Sequence, residues 1–233
     1  MKTVLAAATQ KLRKAERAGY IRRVMWLSFE DRLHSVFSEI DSQGVDAGEL
    51  GNFYLSSSKQ SFPAYGQPYV FRFNSLNQAQ VSVGWRRMGV WHSLGNGELL
   101  KPNEAMENGA AISFSQDITG KIMVLLSPYK SDVAKVNEDN FILVFGVEPN
   151  DLTEERIRKL FKIFFRYCAA TSMVSVGSYS DYVFRLWLGL RDIRNRKIQK
   201  VAILRFFEKV LIVGLAAAGV WATLYTSSKW PIH

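Results

Sequence analysis

The stretch Trp85–His92, WRRMGVWH, gathers two tryptophans, two arginines and a histidine into eight residues. Indole faces stack on planar rings, and a guanidinium grips phosphate through its flat fork of donors. Trp85, Arg86, Arg87, Trp91 and His92 are therefore a candidate site for a small phosphorylated ligand. The plainer expectation is that Trp85 and Trp91 belong to the core and that the arginines form a hairpin tip. Other chemistry is harder to assemble. The histidines are His34, His92 and His233, and no spacing brings carboxylates to them, so no metal is expected. Asp41, Asp46 and Glu49 lie near glycines but do not follow the ligand spacing of a calcium loop. Cys168 is the single cysteine, which excludes a disulfide within the chain and a thiolate-rich metal site. A Walker-type phosphate loop, GxGxxG, HExxH and GxSxG are all absent, and Gly95-Asn96-Gly97 lacks the third glycine. No catalytic residue and no cofactor is assigned, and the expectation is a protein that is not an enzyme.

The elements that must position WRRMGVWH read as a β-rich centre. PYVFRFNS alternates at Tyr69, Phe71 and Phe73, and AQVSVGW alternates at Val81, Val83 and Trp85, so the two form an expected hairpin. AAISFSQ and KIMVLLS flank Asp117-Ile118-Thr119-Gly120, a second hairpin whose turn glycine supplies positive φ. NFILVFGV adds a strand, while LSSSKQS at residues 55–61 reads as a surface loop. Ahead of the strands, residues 2–18 have a basic amphipathic pattern ended by Gly19, and a second helix is expected from Val24 to Ile40, with His34 half exposed on it. Behind them, Ile157, Leu160, Phe161, Phe164, Phe165 and Cys168 repeat at helical spacing after a capping-box-like Asp151 and Glu154, with a basic opposite side. Ser180-Asp181 caps a last helix in which Asp192 reads as a juxtamembrane charge.

Near the C-terminus, Val210 to Ser228 is a run of nineteen residues without a charge, bracketed by Lys209 and Lys229. At 1.5 Å per residue it spans roughly 28 Å, close to the hydrocarbon thickness of a bilayer. Val210, Leu211, Ile212, Val213, Leu215, Val220 and Leu224 supply its apolar surface, with Trp221 and Tyr225 as interfacial aromatics. Gly214, Ala218 and Ala222 recur every four residues beside Gly219, the small-residue face through which transmembrane helices approach one another. The flanks set the orientation. Arg194, Arg196, Lys197, Lys200, Arg205 and Lys209 precede the run and only Lys229 and His233 follow it, so the N-terminal side is expected in the cytoplasm. A helix unbroken from Asp181 to Tyr225 would be about 67 Å long and would couple domain to span rigidly.

The net charge of +9 is uneven. Residues 1–23 carry a net of +6 and residues 185–209 another +6, whereas 24–184 carry −4. Basic ends around an acidic middle fit two membrane-surface contacts and disfavour a nucleic-acid partner. The expected fold class is α+β: a mainly antiparallel sheet of five or six strands flanked by helices, then one long C-terminal helix that becomes a single transmembrane span. The expected divisions are a basic N-terminal helix at 1–23, a cytosolic domain at 24–178, a basic juxtamembrane helix at 179–209, the span at 210–228 and an external tail at 229–233. This plan resembles membrane effectors of bacterial anti-phage systems, in which a cytosolic sensing domain controls short membrane helices. The uncharged run and its flanks make the expected protein tail-anchored and single-pass in the cell membrane (the inner membrane in a bacterium). Its partners would be the bilayer, further copies of itself, and a cytosolic protein or small phosphorylated ligand. Its self-associating spans would perturb or permeabilise the membrane. Two alternatives are an adaptor that recruits a cytosolic partner, and a tethered enzyme acting on nucleotide or lipid through His92, Arg86 or Glu49.

Overall fold

The computed structural model describes residues 2–42, 47–57, 76–92, 103–131, 133, 140–175 and 177–195. Within Met1–Asp192, which forms one compact unit, the chain is α+β. Helix α1 (Lys2–Ser42) and a single turn α2 (Ala47–Leu50) lead into eight strands: β1 (Asn52–Ser57), β2 (Gln78–Gly84), β3 (Arg86–His92), β4 (Asn103–Asn108), β5 (Ala110–Gln116), β6 (Ile122–Ser127), β7 (Lys130–Ser131) and β8 (Phe141–Val147). A 3-10 turn at Pro149–Asp151 precedes α3 (Glu154–Thr171), and α4 (Tyr179–Arg191) closes the unit.

Five strands form an antiparallel sheet in the order β1-β2-β5-β6-β8, and β3-β4-β7 form a second, three-stranded one. The antiparallel sheet expected from the sequence is thus present. Its best-read part, the β5–β6 hairpin, closes through Asp117 N–H to the Lys121 carbonyl at 2.8 Å, with Gly120 at φ +78°. β1 was not expected. Leu55 and Ser57 are buried ladder residues rather than loop, because Asn52–Ser57 pairs in register with Ala79–Gly84. PYVFRFNS lies outside the described residues.

α1 runs without interruption through Gly19 and is about 60 Å long. Gly19 has a different task from ending a helix. A Cβ there would sit 3.5 Å from the Thr119 carbonyl oxygen, so the β5–β6 turn rests directly on the helix backbone. Residues 3–17 are exposed, whereas Trp26, Phe29, Leu33 and Val36 are fully buried at helical spacing. Phe29 meets Phe114 of β5 with ring centroids 5.3 Å apart, and Phe37 stacks on Phe53 of β1 at 4.6 Å. α3 follows its sequence pattern: Ile157, Leu160, Phe161, Phe164 and Cys168 are buried, and Phe165 is half-buried. Its cap is Thr153, whose hydroxyl accepts the Arg156 N–H, while Asp151 ends the 3-10 turn. Burying rings of this size contributes roughly 1.5–3 kcal/mol each, and they dominate this core.

α4 starts at a capping box, with Ser178 as the N-cap and Asp181 as its partner. It stops at Arg191, which corrects the unbroken C-terminal helix. Asp192 leaves helical geometry at ψ 125°, and its fully buried carboxylate accepts the Ile142 N–H of β8 at 2.9 Å. It caps the edge strand β8 and is not an exposed charge. No described helix is long and apolar enough to cross a membrane. The expected span Val210–Ser228, its small-residue face and the cations from Arg196 to Lys209 lie outside the described residues.

Candidate functional site

β2 belongs to the large sheet and β3 to the small one, so the chain must change direction between Gly84 and Arg86. Trp85 makes that change at φ +59°, a conformation uncommon for a bulky side chain. The crossing is tight. Gly51, at φ +90°, approaches so closely that a Cβ on it would fall 2.3 Å from the Gly84 carbonyl oxygen.

From this point the two arginines part. The Arg86 guanidinium turns inward, where Nη1 donates to Glu107 Oε2 at 3.0 Å and to Ser172 Oγ at 2.9 Å. Its Nε donates to the Glu49 carbonyl at 2.5 Å. Glu107 is fully buried and also accepts from the Ser172 hydroxyl at 2.8 Å and from the Met173 N–H. One carboxylate and one guanidinium thereby join β3, β4, the end of α3 and the α2 turn. Arg86 is a clamp of the fold.

Arg87 faces the other way. A β-bulge sets Arg87 opposite Met106 and Trp91 opposite Glu104, which puts Arg87 and Trp91 on one face of the small sheet. Gly89, at φ +68°, lies within the bulge. The Arg87 side chain is 75% exposed, with Nε 3.5 Å from Glu104 Oε2. Trp85 and Trp91 are 62% and 64% exposed. The expectation that these tryptophans are core is therefore overturned, and the arginines sit on a paired strand rather than at a hairpin tip. The physical reason is the change of sheet: the core cluster lies on the large sheet and the helices packed on it, and β3 belongs to the small sheet. His92 ends β3 opposite Asn103, and its imidazole lies outside the described residues. What remains of the candidate site is the face that Arg87 and Trp91 share, an exposed guanidinium and indole suited to a planar or anionic group, with the exposed Trp85 indole just before the strand at the crossing from β2.

The groups that chemistry might have recruited elsewhere are held in structural roles. Burial pushes the Cys168 thiol well above its ordinary range, so it stays a thiol and not a nucleophilic thiolate. Burial likewise raises the Tyr129 phenol, whose hydroxyl donates to the Leu50 carbonyl at 2.6 Å. His34 Nε2 pairs with Ser57 Oγ at 3.0 Å. Glu49 is exposed, and only its backbone carbonyl meets Arg86. Among the described residues no three His, Cys, Asp or Glu side chains come together as metal ligands.

A second surface was not read from the sequence. α3 and α4 border a groove of about 450 Å³, walled by Ile163, Val183, Phe184 and Trp187 and rimmed by Lys162 and Arg166. The Arg166 guanidinium lies 4.3 Å over the Phe184 ring. Its signal in the sequence is a helix with more apolar residues than one buried side needs: beyond Phe184 and Leu188, α4 carries Tyr182, Val183, Leu186 and Leu190. No family of known proteins matches the chain, and neither does any curated protein or solved structure.

Proposed function

We propose that this chain is a single-pass, membrane-anchored effector whose cytosolic α+β domain binds a ligand or partner protein, and whose clustered spans then perturb the membrane. The carrying observation is that Arg87 and Trp91 share an exposed face of the bulged strand β3, with Trp85 exposed just before it, while Arg86 between them in sequence is consumed inside. Large aromatics held in water on a rigid strand favour a contact surface. The uncharged run 210–228 supplies the anchor, and Gly214, Ala218 and Ala222 the face for self-association. A plan of this kind is that of membrane effectors in bacterial anti-phage defence.

The test replaces Val210–Ser228 by a leucine span of equal length and follows membrane potential during expression. The native chain depolarises the membrane and the exchanged chain does not. A chain that stays monomeric in detergent and never moves the potential refutes the proposal.

One observation favours the adaptor as a second reading. α4 ends at Arg191, so among the described residues it does not run on out of the domain as a lever. Recruitment of a partner that survives the span exchange, but is lost in Trp85→Ala/Trp91→Ala, marks the adaptor. For the tethered-enzyme reading, His92→Ala is the informative change, because Arg86→Ala would disturb the fold itself.

A further inference from the structure

α4 has two apolar sides, and the domain uses only one. Phe184 and Leu188 are buried, 6% and 1% exposed, whereas Tyr179, Tyr182, Val183, Leu186, Trp187 and Leu190 are each at least 41% exposed. At 3.6 residues per turn these six fall within an arc of about 140°, opposite the buried pair. An apolar stripe of that width ordinarily faces a core, and here it faces out.

We infer that this outer face of α4 lies in the headgroup layer of an anionic bilayer, parallel to the surface, as a second membrane contact besides the C-terminal span. The inference rests on the membrane-anchored reading above. Three features choose lipid as the occupant. First, the stripe ends in Tyr179, Tyr182 and Trp187, side chains with an apolar body and a polar tip that settle at the level of headgroups. Second, cations surround it: Lys162 and Arg166 rim the groove beside α4, and the Arg191 guanidinium sits 5.1 Å over the Trp187 ring. A second copy of this chain would bring those cations against one another, whereas lipid phosphates would neutralise them. Third, only residues 192–209 separate α4 from the uncharged run, and they include six Lys/Arg against two acids. A tether of that length reaches about 60 Å at most, so an anchored chain holds α4 near the membrane.

The experiment uses the full chain reconstituted in phosphatidylcholine vesicles with and without phosphatidylglycerol. Leu186→Cys carries an environment-sensitive fluorophore, and Ile118→Cys, on the 81% exposed tip of the β5–β6 turn, is the reference. Buried Cys168 stays unlabelled in the folded protein. The expected result is that lipids bearing a quencher high on the acyl chain quench the label at 186 several-fold more than the label at 118. Aqueous iodide should show the reverse order, and omitting phosphatidylglycerol should relieve the lipid quenching. Tyr182→Cys repeats the measurement if Leu186→Cys reconstitutes poorly. A label at 186 that is open to iodide, in protein resisting alkaline extraction, overturns the inference and leaves the anchor standing. Shielding from both quenchers means that protein covers the face, whether another copy or residues 196–233, and also overturns it. Release of the whole chain by alkaline extraction defeats the anchor first, and the inference with it.

Discussion

Glu107→Ala should unfold this domain more readily than any change on its exposed indole face. In the native chain the Glu107 carboxylate is fully buried and takes hydrogen bonds from Arg86, Ser172 and the Met173 N–H. Removing one partner of a buried ion pair costs about 3–5 kcal/mol, because the other charge is left uncompensated. The lower end applies here. Arg86 keeps the Ser172 hydroxyl and the Glu49 carbonyl as acceptors, and its side chain is 15% exposed. A loss of about 3 kcal/mol is a large share of the 5–15 kcal/mol typical of a folded domain. Urea unfolding of the full chain in nonionic detergent, followed by tryptophan emission, reads it as a fall in midpoint at constant slope. The companion variants are Glu107→Met, Arg86→Met and the double Arg86→Met/Glu107→Met, which close a cycle. Because the double replaces charge by apolar bulk at both ends, it should lose less than the sum of the singles by about 2 kcal/mol. A Glu107→Ala loss under about 1 kcal/mol, or single losses that simply add, would refute the claim that Arg86 is a clamp and restore it as a free ligand group.

Two further outcomes follow from local geometry. Gly19→Ala should be neutral or stabilise by up to about 1 kcal/mol, since alanine is the better helix former and its Cβ would meet only ordinary contacts, the nearest at 3.5 Å. Gly120→Ala should instead cost about 2 kcal/mol or more, through positive φ and a Cβ 2.7 Å from the Gly19 carbonyl oxygen; equal effects in thermal melts would refute the docking of the turn on α1. Hydrogen bonds from Ser178 hold the Asp181 carboxyl below its ordinary 3.8. Its folded value being the lower one, the cap's contribution is complete above the unfolded value and disappears as pH falls through the folded one. Amide shifts of Ser178 and Asp181 should therefore titrate with a midpoint under 3.8, and a midpoint at or above it would contradict the capping box.

What could be read in the sequence is what short spacings determine. The β5–β6 hairpin was legible because Asp117 to Gly120 is a turn whatever surrounds it, and α3 because its apolar residues repeat over three turns. Gly19 misled because a glycine has two meanings that sequence alone does not separate: a helix end, or a point where another backbone comes close. The tryptophans misled in the same way. Indoles on an alternating strand are ordinarily core, and only the pairing of β3 with β4 shows that the chain leaves the large sheet at Trp85. The clamp was out of reach altogether, since Arg86, Glu107 and Ser172 meet across separations of 21, 65 and 86 residues. Asp192 shows the same limit: a carboxylate amid arginines reads as a surface charge until Ile142, fifty residues earlier, is found to need an acceptor.

The end of α4 at Asp192 changes what anchoring can accomplish. A lever would transmit a rotation of the domain to the span, and would require helix hydrogen bonds to continue through residue 192. Those of α4 do not: its last is from the Asp192 N–H to the Leu188 carbonyl at 3.0 Å, the Asp192 side chain is committed to β8, and a 3-10 turn at Ile193–Asn195 follows. In the membrane-anchored reading proposed above, signal would then pass by proximity. Chains confined to one membrane meet at a far higher effective concentration than free ones, so a partner that bridges two Arg87–Trp91 faces would favour pairing of spans without any movement inside the domain. Inserting a flexible glycine-serine segment between Asn195 and Arg196 separates the two mechanisms. Coupling by proximity falls only slowly with linker length, whereas a lever fails at the first insertion.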